Sequence, residues 1–287
     1  MKPLLYTALL TAPALGFASG APTALEITQG IRHPESAIYS HQHRSFFVSN
    51  VASGNPLETA EVAYLSRISA DGKTVDAEWV RGLRAPKGLA LRGNALFVTD
   101  VDRIVRVDVR AGKIDRIFPV PGAKFLNDLV VDARGVVYAS DMFSNTIYQV
   151  ADGVPSKFVE DDRVQGANGL SIRDGFLVVS RWGSEMDPQT FVSKYPGNVV
   201  SINLADPSEL IVSDAVTGHL DGLTYDGDGN QLVSDWMTGD VFRVNQAGEG
   251  QRLFNFGPGT ADISYAPELE TLLVPQMNQS KLILVKF

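Results

Sequence analysis

The amino-acid sequence predicts an all-β protein, a six-bladed β-propeller closed by an N-terminal strand that joins the last blade, and three observations carry that prediction. A unit made of a short polar start, an apolar strand, a turn, a strand ending in Ser-Asp or similar and a third strand recurs six times. Successive copies, starting at Glu35, Lys87, Asn127, Asn168, Asp221 and Asp262, are spaced by 52, 40, 41, 53 and 41 residues. The last copy stops after its third strand. A period near forty residues with β alternation and glycine turns is that of a propeller blade, and helical periodicity is almost absent.

Residues 1–21, "MKPLLYTALLTAPALGFASGA", place one lysine ahead of an apolar stretch from Pro3 to Phe17 and then small residues. This is the pattern of a secretory signal peptide cleaved after Gly20 or Ala21, and it predicts a periplasmic or secreted protein. Prolines and threonines interrupt the run and no second long apolar run follows, so no membrane span is expected. Residues 22–287 are then one propeller domain. "ALEITQGI" is the candidate for the missing outermost strand of the last blade, a strand exchange that seals the ring.

The blades follow in order. Blade one reads "ESAIYSHQHRSFFVSN" from Glu35 and carries an insertion, "VASGNPLETAEVAY", after its second strand. Blades two and three read "KGLALRGNALFVTDVDRIVRVDV" from Lys87 and "NDLVVDARGVVYASDMFSNTIYQV" from Asn127. Blade four begins "NGLSIRDGFLVVSRWG" at Asn168 and inserts "RWGSEMDPQTFVSKYPGN", a segment whose Gly, Pro and Ser suit a lid. Blades five and six read "DGLTYDGDGNQLVSDWMTGDVFRV" from Asp221 and "DISYAPELETLLVPQMNQSKLILVKF" from Asp262. The absence of cysteine leaves the fold to its core alone, which more than 260 residues can supply. A formal charge of −8 argues against nucleic acid as a partner and agrees with cations or neutral molecules.

The first strand of each blade lines the central channel, so the six starting residues form a ring near one rim. Glu35, Asn127, Asn168, Asp221 and Asp262 with Lys87 make that ring polar, and burying so many polar groups is costly unless something satisfies them. A hard cation does so, since calcium takes carboxylate and amide oxygens. Any one of these motifs alone is equally a turn entering a strand; several in register favour a divalent metal, most simply calcium. The nearby acids Asp226 and Asp228 with Asn230 resemble an EF-hand loop, but Gln231 and Met237 stand where its glycine and final carboxylate belong, so "DGDG" is turn chemistry.

The motifs "PES" at Pro34, "FLNDLVVDARGVVYASDM" at Phe125, "GANGLSI" at Gly166 and "LDGLTYDGDGN" at Leu220 together resemble the SMP-30/gluconolactonase superfamily of calcium-dependent six-bladed propellers. Paraoxonases, the diisopropyl fluorophosphatase type and strictosidine-synthase-like proteins are relatives. The resemblance implies Glu35, Asn168 and Asp221 as core metal ligands and Asn127 as a ligand or a substrate contact. Two positions depart from the pattern. Phe125 stands where gluconolactonase-like members commonly carry an arginine that grips a polar substrate, and Lys87 stands where paraoxonase-like members have a histidine.

The resulting expectation is an exported calcium-dependent hydrolase of a lactone or related ester. The metal would polarise the substrate oxygen, with Asp221, Asp262 or Lys87 as the general base. His33 and His219, each two residues before a ring position, are candidates for the cavity mouth. Connections after the second strands should supply walls from Met142, Phe143, Arg181, Trp182, Trp236, Met237 and Met277. Such walls suit a small-molecule substrate with an apolar or aromatic part and a carbonyl or anionic group facing Arg181. The alternative is a non-enzymatic, NHL-like propeller in which the metal only pins the blades and the face binds a ligand or protein partner.

Overall fold

The computed structural model describes residues 22–53, 56–57 and 62–287; the expected leader and part of the blade-one insertion lie outside these residues. The strands form six separate antiparallel sheets, five of them consecutive in sequence. The first four blades begin at Pro34, Pro86, Leu126 and Ala167, and the fifth at Leu220. The sixth combines Ser264–Ala266, Thr271–Gln276 and Lys281–Lys286 with the N-terminal strand Thr23–Ile27. That strand pairs antiparallel with Lys281–Lys286, from Thr23 opposite Lys286 to Ile27 opposite Leu282. The strand exchange expected from the sequence therefore closes the ring, and Ile27 buries its side chain with Leu282, Phe46 and Ile68 where the first and last blades meet.

Apolar faces of neighbouring sheets meet in six clusters, one per blade interface, because each strand alternates side chains between its two faces. The Ser-Asp repeat explains how the blades are held to each other. Ser140 donates to the Asn168 carbonyl at 2.6 Å and Ser234 to the Ala261 carbonyl at 2.8 Å, while Thr99 and Ser180 donate to the carbonyls of Asn127 and Asp221. The aspartate that follows clasps the turn entering its own blade. Asp100 accepts from the amides of Arg84 and Ala85, Asp141 from those of Lys124 and Phe125, and Asp235 from that of His219. These carboxylates are architectural.

The same bonds correct the register of blade six. The acceptor equivalent to Asn127, Asn168 and Asp221 is Ala261, so the ring position there is Ala261 and Asp262 is one residue beyond it. Asp262 forms its bridge with Ser36 and donates its amide to the Glu35 carbonyl at 3.0 Å. Aligning Ile263 with Leu129, Leu170 and Leu223 gives that register; matching acid to acid does not.

Candidate functional site

In each of the first five blades the ladder between the first two strands shifts register immediately around the ring residue, as between Leu126 and Leu129 or Leu220 and Leu223. A bulge there re-aims side chains. Its effect is visible at Asn127 and Asp128, whose side chains line different cavities. A cavity of about 320 Å³ is lined by Glu35, Lys87, Asn127, Asn168 and Asp221, all at most 6% exposed. Asp128 and Asp262 instead line a second cavity further along the channel with Ser36. Asp262 therefore lines the second cavity and not the one shared by Glu35, Asn127, Asn168 and Asp221, although its charge still reaches Glu35 and Asp221.

Those four residues share one feature. Oε2 of Glu35, Oδ1 of Asn127, Oδ1 of Asn168 and Oδ1 of Asp221 are buried without a hydrogen-bond partner. Both amides have their nitrogen ends tied, Asn168 to the Leu220 carbonyl at 3.2 Å and Asn127 to the Met142 sulfur at 3.8 Å, which leaves the oxygens over. Unpaired buried acceptors cost about 1–3 kcal/mol each. Burial holds the Glu35 carboxyl well above the usual range, and the charges of Asp221 and Asp262 add to it. Burial likewise raises Asp221, with Asp262 and Asp235 adding. Among the described residues no group of three His, Cys, Asp or Glu side chains forms a metal cluster; the donor set here is two carboxylates and two amides.

Among the described residues Lys87 forms no salt bridge with the ring carboxylates, and its charge only partly offsets the rise at Glu35. Its ammonium donates to the Ala85 carbonyl at 3.0 Å and lies 4.3 Å from the centre of the Phe125 ring. Burial pushes it down to about 8, against the opposing pull of Glu35 and Asp100. Phe125 thus offers the lysine a ring face where an arginine would have brought a second cation.

The remaining lining is mostly apolar, and Met142, Trp182, Trp236, Met237 and Met277 are part of it. Arg181, His33 and His219 are not among the lining residues. Arg181 occupies the blade-four equivalent of the aspartate clasps, and its guanidinium donates to the Gln165 carbonyl at 2.9 Å and to Asn198 at 2.9 Å. The Nδ1 atom of His33 lies 3.1 Å from the Ala52 carbonyl. His219 backs the Trp182 ring edge-on at 5.3 Å and reaches Ser193 at 3.2 Å. Sequence reasoning missed Phe125 as a wall, and also Pro56, Thr190, Phe191 and Asn278. Only the blade-four insertion, read as a lid, gave a signal for Thr190 and Phe191.

The fold and this cavity define the class: a six-bladed propeller with a polar ring opening into an aromatic pocket. No protein-family model and no curated protein matches the sequence. Among solved structures, the chain is similar to a putative gluconolactonase at 17% identity, with 94% of this chain and 93% of that one covered and a TM-score of 0.68. It is also similar to a gluconolactonase from Xanthomonas campestris, described as important in glucose secondary metabolic pathways, at 16% identity with 93% and 90% covered and a TM-score of 0.70. A streptogramin B lyase shares the fold as well, at 10% identity, with 92% and 97% covered and a TM-score of 0.64. At such identities the likeness establishes the fold and leaves the reaction to the site.

Proposed function

We propose that the protein is a divalent-metal-dependent hydrolase, most simply calcium-dependent, acting on an ester or lactone with an apolar or aromatic portion. The observation that carries this reading is the set of four unpartnered buried oxygens on Glu35, Asn127, Asn168 and Asp221 in one cavity. Carboxylate and amide oxygens are the donors hard cations take, so the residues present fit such an ion. When bound, it supplies Lewis-acid polarisation of a carbonyl oxygen.

The chain's own groups provide the rest. Among the described lining residues Asp221 and Glu35 are the carboxylates, and Asp221 is the better placed general base because its blade also contributes Trp236 and Met237 to the wall. Lys87, held mostly as ammonium at neutral pH, is the proton donor to the departing alkoxide. Methionine and aromatic walls exclude water and bury the apolar part of the substrate. Beyond Thr190 and Asn278 they offer a polyol few partners for its hydroxyls, which favours an apolar ester or lactone over a sugar lactone. The leader-like segment at residues 1–21 supports export.

Calorimetric titration of the chelator-stripped protein with calcium tests the metal. One saturable site in wild type that disappears in Asp221→Ala is expected; a folded wild type that binds no divalent cation would remove the hydrolase reading. Turnover of phenyl acetate above that of gluconolactone checks the substrate class.

A further inference from the structure

Blade four differs from the others in the start of its third strand. Ser193–Asn203 begins early and pairs first with Gly183–Met186, Gly183 opposite Pro196 and Met186 opposite Ser193, so a hairpin leaves the sheet before the strand rejoins it. Near its tip Phe191 takes a left-handed conformation at φ 59. For a bulky residue that costs about 1–2 kcal/mol, and it persists only where the surroundings hold it. The Phe191 amide donates to the Asp187 carbonyl at 2.8 Å, and the Trp182 indole donates to the Phe191 carbonyl at 2.9 Å. The ring then stands 5.9 Å from Phe125, 5.6 Å from Phe143 and 6.2 Å from Trp182. Phe191 packs on the buried Phe125, Met142 and Trp182 yet remains half-buried and lines the axial cavity, so its strained, strapped ring is held where a ligand in that cavity would meet it.

We infer that Phe191 is a specificity-determining residue, and that with Phe125 and Trp182, backed by Phe143, it forms a subsite for an aryl group. Lys87 and the stacked Phe143 ring cover the faces of Phe125, which therefore offers the cavity an edge, while Phe191 meets Phe125 and Trp182 at 63° and 67° and is the ring of the three left half-exposed to a planar guest. Each aromatic pair adds about 0.5–1.5 kcal/mol beyond area burial. An alkyl chain gains the burial without those contacts, and a polyol leaves its hydroxyls unpaired. The ligand class is an aryl ester or a benzo-fused lactone. The reaction rests on the hydrolase reading; the binding does not.

The test is calorimetric binding of acetanilide, an amide isostere of phenyl acetate, to calcium-loaded wild type, Phe191→Ala, Phe191→Leu and Trp182→Phe, with acetamide as the ring-free control. Loss of one or two ring contacts predicts roughly tenfold weaker acetanilide binding in Phe191→Ala. Phe191→Leu should fall between, and Trp182→Phe, which keeps a ring but loses the bond to the Phe191 carbonyl, should also weaken binding. The calcium isotherm should not change in the Phe191 variants. With phenyl acetate, KM should rise in Phe191→Ala while kcat changes little. Weakened acetanilide binding with intact calcium binding supports the subsite even if phenyl acetate is not turned over, in which case the hydrolase reading alone falls. Wild type binding acetanilide no better than acetamide, or Phe191 variants binding it as tightly as wild type, overturns the subsite.

Discussion

Lys87 is 1% exposed, bonded to one backbone carbonyl and set against the face of Phe125, with its proton affinity lowered to about 8 by burial. The proton-donor role proposed for it has a definite sign in pH. The ammonium is the working form, so activity should decline as pH rises through about 8. A cation in the ring pushes the limb lower still. Lys87→Met should lower kcat by about 10²–10⁴, the usual range for a positioned acid or base, while leaving the calcium isotherm intact or tighter because a like charge has gone. A pH profile of kcat/KM for both proteins checks this; an unchanged alkaline limb in the variant would assign the limb to another group. Arg181 shows the opposite case, an exposed-looking functional residue in the sequence whose guanidinium is consumed by the Gln165 carbonyl and Asn198.

At the scale of elements, the aspartate clasps join architecture to site. Asp141 is fully buried and accepts from the amides of Lys124, Phe125 and Phe143, at 2.7, 3.0 and 3.1 Å. Asp141→Ala strands these donors, so a loss of about 3 kcal/mol in stability is expected, measured by urea unfolding. Weakened acetanilide binding should accompany it, because two aromatic residues lose their anchor. The equivalent Asp100→Ala should destabilise without that second effect. Much of this was legible in the sequence: the Ser-Asp repeat, the period and the exchanged strand all follow from alternation and turn chemistry, which are local. What was not legible depended on side-chain direction. Asp262 reads as a ring residue, but it stands one position past the ring and, like Asp128, lines the other cavity. His33 and His219 share the spacing of ring-adjacent residues, yet turn to Ala52 and Ser193. Phe191 belongs to a segment without periodicity, so nothing in the pattern could aim it.

For the whole molecule the consequence of a polar axis is electrostatic. Burial raises Glu35, Asp128 and Asp221 well above the usual carboxylate range and pushes Asp262 up to about 7. Carboxyls in the unfolded chain titrate near roughly 4. Between about pH 4 and pH 7 the folded metal-free protein therefore holds protons that the unfolded chain has released. Since stability falls with pH wherever the folded state binds more protons, the metal-free protein should lose stability across this window. Lys87, whose affinity is lowered, acts in the opposite sense only above about pH 8. A divalent ion on Glu35 and Asp221 stabilises their ionised forms and reverses the slope, and at a hundredfold excess over its dissociation constant it adds about 2.7 kcal/mol. Thermal unfolding from pH 5 to pH 8 should thus show Tm falling with pH after chelation and holding or rising in calcium. Curves that stay parallel with and without calcium would mean that no ion reaches the ring carboxylates, and that the axis is held together by shared protons.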